Sequence, residues 1–547
     1  MTGVLAGPLR QVFGTLRGPS RVLPRLTGPR LTGPGLSGPG LSRPGPPGPQ
    51  PTSGRPDLPL TLTASPMTAI HDLDALALSR AIHARQVSCE EVMKSSLARI
   101  GQLNPKVNAI VALRDDAELM AEARACDAEL AQGHSRGWMH GFPHAVKDLE
   151  VTAGIKTTWG SPLFRNNVPA ADGLLAQRLK AAGAILIGKT NVPEWGFGSQ
   201  SYNPVYGTTL NPYDLTRTCG GSSGGAAVAL ALRMLPVADG SDMGGSLRNP
   251  AGWCNVFGMR PSQGRVPKWP SEEVFFAQLP TEGPMARNVP DLTALLATLA
   301  GPDARQPLSL PHDPGLRPDN LVQADSAWKG VRIGWLGSFD GALPMEPGVI
   351  ALCEQALKDF EGLGCAVEQA PLGFDPESIW RCFNVLRSLP ISARFAPYRQ
   401  DPAKWALLKP EAQWEYEQGV GLSALQIQQA ASVRSAWFQR VLALFGQYDF
   451  LALPSAQVFP FDKDQHWPSE VNGRKSDTYH RWMEVMAPVT LAGVPAISVP
   501  AGFDARGLPM GLQLIGAPRD DLGVLRLAHA YDQATQWVNQ RRPGWAE

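Results

Sequence analysis

What this 547-residue chain has little of narrows its function before any motif is read. Its seven cysteines are scattered, with no CxxC pair and no closely spaced Cys/His set. That excludes a zinc ribbon and a disulfide framework, and it fits reduced thiols in a cytoplasmic protein. Cys219, beside a glycine cluster, reads as a small packing residue. No apolar run approaches the roughly 20 residues needed to span a bilayer, so no membrane role is expected. A basic surplus is also missing. Beyond residue 56 the chain holds 43 Lys and Arg against 49 Asp and Glu, which gives no field to attract nucleic acid. The metal and cofactor expected from this reading is none.

The first 56 residues lack acids altogether, carry seven arginines, and are Gly or Pro at 24 positions. A five-residue unit, Leu-(Ser/Thr)-x-Pro-x, starts at Leu26, Leu31, Leu36 and Leu41. Collagen requires glycine at every third position, which this period does not provide. Repeated prolines also prevent the amphipathic helix of a transit peptide. Residues 1–66 are therefore expected to be a disordered extension, with Met67 as the expected true start and residues 67–547 as one large domain.

From Met67 on, the pattern is globular. Ser88-Cys-Glu-Glu91 is a capping box opening a helix with Met93, Leu97 and Ile100 on one face. Leu119, Ala123, Cys126 and Leu130 mark a second helix that stops at Gly133. A helix over Leu174–Ala182 leads to a strand over Ala184–Ile187. Later strands are predicted at Val331–Leu336, Ala366–Ala370, Phe450–Leu453, Ala496–Pro500 and Met510–Ile515, with a helix over Gly348–Leu363. A last helix places Val524, Leu527, Tyr531, Ala534 and Val538 on one face. Helices alternating with buried strands predict an α/β fold, one mixed twisted sheet with helices on both faces. The stretch 376–465 is helical and aromatic-rich, an elaboration on that core.

The chemistry concentrates in GGSSGGAAVALALRMLPVADGSDMGGSLRNP, Gly220 to Pro250. Two Gly/Ser clusters flank an apolar run, Ala226–Leu235, that should be a short helix. Gly244-Gly245-Ser246 offers consecutive backbone N–H groups beside a hydroxyl, the arrangement an oxyanion hole requires. A serine needs a base to become nucleophilic, and the residues leave the base open. Gly221-Ser-Ser223-Gly-Gly225 formally matches GxSxG, which uses histidine, but Asn211–Arg217 before it reads as turn, not strand. The downstream histidines His312, His466, His480 and His529 lie in no suggestive context. Neither cluster is followed by the Gly-Lys-(Ser/Thr) of a phosphate loop. Lys147, at an apolar strand end before Asp148, could act as base if burial keeps its amine neutral.

This stretch resembles the signature of the amidase signature family of serine hydrolases. HGFPHAVKD (His140–Asp148) resembles the family's lysine motif, and GAILIGKTNVPEW (Gly183–Trp195) its following strand and turn. NPYDLTRTCGGSSGG resembles the lead-in. Gly283–Arg287 and LAGVPAISVPAGFDARGLPMGLQLIG (Leu491–Gly516) resemble later blocks. Together they span most of residues 70–540 in the family's order.

The resemblance implies a Ser–cis-Ser–Lys set: Ser246 as nucleophile, Ser222 after a cis peptide bond as proton bridge, and Lys147 as base. It implies N–H groups of Met243, Gly244, Gly245 and Ser246 as the oxyanion hole, with Met243 standing where many members have Thr or Ile. Ser223 is expected to support Ser222, and Asp242 with Arg248 to brace the turn. The implied activity is hydrolysis of linear carboxylic amides; the same acyl-enzyme route serves esters, anilides and carbamates (urethanes). The alternative within the fold is the glutamine-hydrolysing component of a tRNA-dependent amidotransferase; a GxSxG/His hydrolase is a third reading. The expected partner is a small-molecule amide, neither nucleic acid nor membrane, with a homodimer left open. Trp253, Trp269, Phe275, Phe276 and the aromatics of 376–465 suggest an apolar or aromatic substrate.

Overall fold

Eight strands form one mixed sheet in the order Ala366–Gln369, Arg332–Trp335, Phe450–Pro454, Pro509–Ile515, Ala496–Phe503, Phe257–Arg260, Thr281–Ala286, Ala238–Asp242. The first three run parallel to one another, and every later pairing is antiparallel. These elements come from a computed structural model, which describes residues 69–276 and 278–546. The expected extension 1–66 and the expected start at Met67 lie outside the described residues.

The central strands Ala496–Phe503 and Pro509–Ile515 are buried almost throughout. Helices cover both faces of the sheet, so these strands read as continuous apolar runs. Val349–Leu363, Asp521–Thr535 and Arg248–Trp253 pack directly on them.

A second, small sheet carries the lysine motif. Its order is Ile110–Val111, Ile185–Thr190, Pro143–Lys147, the last two strands parallel. Asp239, on the edge strand of the large sheet, joins the two sheets. Its carboxylate bonds His144 Nε2 at 2.9 Å and accepts from the Lys147 backbone N–H at 3.2 Å. The helix Gly224–Ala231 is apolar on every side and buried from Gly224 to Leu230, as such a helix must be. It presses on the small sheet through Gly225, where a Cβ would stand 2.3 Å from Asn191 N and 2.5 Å from Ala109 O.

Several expected boundaries move. The Ser88 capping box is present and opens Cys89–Val107. The strand expected at Ala184–Ile187 runs on through the lysine to Thr190, because ladder pairing with Pro143–Lys147 continues that far. The short helix expected over Ala226–Leu235 starts inside the glycine cluster and ends at Ala231. The last helix is two, Asp521–Thr535 and Trp537–Gln540, broken at left-handed Gln536, and Ala534 is exposed rather than core-facing. The helical elaboration ends at Phe445, since Phe450–Pro454 belongs to the central sheet. Among the described residues no helix is long and apolar enough to cross a membrane.

Candidate active site

Lys147 ends its strand fully buried. Its Nζ lies 2.9 Å from Ser222 Oγ, 2.8 Å from Ser223 Oγ, 2.9 Å from Ser241 Oγ and 3.1 Å from the Ser241 carbonyl oxygen. Burial removes the hydration an ammonium needs and lowers its pKa to about 8, although Glu282, Glu150 and Asp239 pull the other way. A neutral amine has two N–H donors and one lone pair. The carbonyl of Ser241 can only accept, so one N–H goes there. A hydroxyl can take the second N–H, and the lone pair is left for the proton of another hydroxyl.

The peptide bond Gly221–Ser222 is cis. Ser223 N–H donates to the Ser246 carbonyl at 3.2 Å, which ties the second Gly/Ser cluster to the first through the backbone. The Ser246 hydroxyl is not among the groups bonded to Lys147 Nζ. Gly240 admits this approach, because a Cβ there would fall 2.6 Å from Ser223 Oγ and 2.5 Å from Leu247 Cδ2.

The turn from Met243 to Ser246 is built around Asp242. Arg248 pairs with it through Nε at 3.0 Å and Nη2 at 2.9 Å. Arg260 Nη1 donates to its carbonyl oxygen at 2.6 Å. Burial works against the Asp242 charge, but Arg248, Arg260 and the Leu247 N–H outweigh it and hold the carboxyl well below the usual range. Two guanidinium groups against one carboxylate leave a positive charge behind the turn. The Gly245 N–H donates to Asp242 Oδ1 at 3.1 Å and is therefore already engaged. Gly245 itself sits at φ +94°, where a Cβ would meet Met486 at 2.4 Å.

Behind Lys147, Lys268 Nζ bridges Glu150 at 2.8 Å and Glu282 at 2.6 Å. Burial, with the neighbouring Glu150 charge, pushes the Glu282 carboxyl up to about 8. Glu282 is the register partner of Ser241.

Ser241, Asp239, Lys268 and Glu282 do not stand out in the sequence. The available signal is the polar run Asp239-Gly-Ser-Asp242 inside a strand otherwise flanked by apolar residues, since a buried polar side chain needs a partner. Gly183–Thr190 formally fits the GxxxxGK(S/T) spacing of a phosphate loop, but it is mostly strand, and Lys189 Nζ is bonded to the Glu150 carbonyl and Thr152 Oγ1. Among the described residues no histidine is bonded to Ser223, whose hydroxyl is engaged by Lys147 and Ser241. His480 instead bonds Asn384. Cys219 is buried, and burial pushes its thiol up to about 12.

The aromatic expectation needs correcting. Trp253 is core, stacked on Trp482 at 5.6 Å, while Phe275 and Phe276 are on the surface. A different ring cluster adjoins Gly196, a residue close to Ser222. A Cβ on Gly196 would be 3.5 Å from Ser222 Oγ, and the preceding Trp195 stacks on Trp159 at 5.6 Å with Phe164 and Phe395 edge-on.

Comparison with known proteins identifies the family. A family model described as Amidase matches residues 91–525. The A component of the glutamyl-tRNA(Gln) amidotransferase of Chloroflexus aurantiacus is 34% identical over 500 residues, covering 87% of this chain and 99% of that protein. A bacterial aryl acylamidase of the amidase signature family superposes with a TM-score of 0.80 at 28% identity, over 86% of this chain and 98% of the other. The corresponding amidotransferase component of Thermotoga maritima gives 0.66 at 27%, over 85% and 95%. The chain belongs to the amidase family, the amidase signature enzymes.

Proposed function

We propose that the protein hydrolyses the C–N bond of carboxylic amides through an acyl-enzyme on Ser246. The observation that carries this is Lys147: a fully buried amine with lowered pKa, within 2.9 Å of two signature serines. Neutral Lys147 takes the proton of Ser222, which takes that of Ser246, whose Oγ adds to the substrate carbonyl. The remaining N–H groups of Met243, Gly244 and Ser246 receive the oxyanion, helped by the positive charge of the Asp242–Arg248–Arg260 group. The proton then returns through Ser222 to the leaving nitrogen, the C–N bond breaks, and water hydrolyses the ester by the same relay. Such proton transfer contributes about 10²–10⁴-fold. Esters, anilides and carbamates can enter the same route.

Two finer readings divide the support. The 34% identity to the Chloroflexus amidotransferase component favours a glutamine-hydrolysing protein that works with protein partners. The TM-score of 0.80 to the aryl acylamidase favours an amidase acting alone on an aromatic amide. Purified protein assayed alone with a chromogenic anilide and with glutamine separates them. Ser246→Ala must abolish both turnover and fluorophosphonate labelling; normal turnover by that variant would refute the proposal.

A further inference from the structure

The side chain beside the oxyanion turn is an arginine whose charge is already spent. Arg387, on the helix Pro376–Arg399, is almost fully buried and points Nη1 at Met243 Sδ at 3.6 Å. A Cβ on Gly244 would lie 3.9 Å from that nitrogen and 3.6 Å from Phe383 Cζ. Arg387 therefore lies against the oxyanion turn beside Phe383, with Met483 Cε nearer still, 2.6 Å from that Cβ position. Its other nitrogens face away. Nε donates to Glu415 Oε1 at 2.5 Å and Nη2 to Tyr479 OH at 2.7 Å. Tyr479 OH donates to Glu415 Oε1 at 2.6 Å and Ser388 Oγ to Glu415 Oε2 at 2.8 Å. Burial opposes the Arg387 charge, but Glu415 and Tyr479 outweigh it and raise its pKa, so it stays a cation. Burial also raises the Tyr479 phenol, which stays neutral. The rings of Phe197 and Phe383 lie against the guanidinium, 5.6 Å and 5.9 Å from their centroids.

The pair Arg387–Glu415 carries no net charge. A substrate carboxylate brought to this turn would be a third buried charge beside a balanced pair, and the guanidinium groups of Arg248 and Arg260 offer it no direct partner, being bonded to Asp242, Gln513, Thr490 and Leu279; a buried charge without a partner is strongly disfavoured. What remains available is Nη1, with N–H donors held only by a thioether sulfur, a weak acceptor. It can donate to an uncharged oxygen.

Building on the reading of Ser246 as nucleophile, we propose that Glu415, by neutralising Arg387, is a specificity-determining residue that restricts the enzyme to uncharged amides. Glutamine and other amides with a carboxylate near the scissile bond are then poor substrates, although relatives include glutamyl-tRNA(Gln) amidotransferase components.

The test compares ammonia release from pentanamide and from glutaramate, which share chain length and differ by the terminal carboxylate, with glutamine as a third substrate. The wild type should prefer pentanamide by about 100-fold or more in kcat/KM, the scale on which buried polar groups discriminate. Glu415→Gln leaves the Arg387 charge free and should narrow that ratio by about 10-fold or more. Tyr479→Phe keeps the ion pair and should keep the wild-type ratio. Equal turnover of the two amides by the wild type overturns the proposal, as does a folded Glu415→Gln with an unchanged ratio. Should Glu415→Gln fail to fold, the wild-type ratio decides alone. Fluorophosphonate labelling of Ser246 is read in every sample: labelling without discrimination refutes the charge filter only, whereas no labelling and no hydrolysis refute the nucleophile and the filter together.

Discussion

Lys189 is the register partner of Val146, while Lys147 is paired with Thr190. Paired residues of neighbouring strands share a face and successive residues alternate, so the two buried lysines project from opposite sides of the small sheet. Lys147 reaches the serines; Lys189 reaches the Glu150 carbonyl and Thr152. Burial lowers both amines to about 8, so pKa alone does not distinguish them. Position does. Lys147→Met should reduce kcat by about 10³-fold or more. Lys189→Met should lower thermal stability, yet its remaining activity should keep the wild-type pH profile. A profile displaced by the Lys189 change instead would reassign the base.

The pH profile has a defined sign. The proposed relay needs neutral Lys147, so kcat/KM should rise as pH rises through about 8 and level off above it. Lys268 lowers the Lys147 pKa by its own charge. Lys268→Met removes that like charge, and the acidic limb should move upward by about one unit. A limb that stays put would show that the bridge is only structural.

Local signals carry sequence reading only part of the way to this site. The Ser88 box, the helix Val349–Leu363 and the strands around Ile497 and Leu512 were legible because caps and apolar periodicity are local. Ser246 beside its glycines and Lys147 at its strand end stood out as candidates from their own neighbours, but the roles expected of Lys147, Ser222 and Ser246 came only through the resemblance, since histidine and lysine were both left open as base. Ser241, Asp239 and Lys268 were not legible, because their side chains meet partners from segments far apart in the chain, such as Asp239 with the Lys147 N–H and Lys268 with Glu150. The Arg387–Glu415 pair joins two helices of the elaboration, and nothing in either helix alone marks it. The aromatic expectation failed at Trp253, Phe275 and Phe276 for the same reason, while Phe383 and Phe395 of the 376–465 stretch do reach Gly244 and the Trp195 cluster. Trp253 and Trp195 are both tryptophans next to small residues, and only packing separates core from site.

Gly240 is a steric test of the serine cluster. A methyl group there would collide with Ser223 Oγ and Leu247 Cδ2. Gly240→Ala should destabilise the fold by about 1–3 kcal/mol through overpacking. It should also cut kcat more than it raises KM, because the displaced atom is a ligand of Lys147 rather than a binding surface. Wild-type kinetics with a lowered melting temperature would separate packing from catalysis and count against a role for Ser223.

Asp242 offers the sharpest separation of fold and chemistry. Its carboxylate accepts from Gly245 N–H and Leu247 N–H and faces Arg248 and Arg260 at once. Asp242→Asn keeps the shape but turns one acceptor oxygen into a donor and leaves two buried guanidinium groups without their counter-charge. Breaking a buried pair in this way costs about 3–5 kcal/mol, so the melting temperature should fall. If the turn also positions the oxyanion donors, kcat should drop by about 10²-fold or more at temperatures where the variant is folded. Slower fluorophosphonate labelling of Ser246 should accompany it, since the probe's phosphoryl oxygen uses the same N–H groups. A folded variant that labels at the wild-type rate would confine Asp242 to stability and leave the oxyanion turn to be held by the glycine backbone alone.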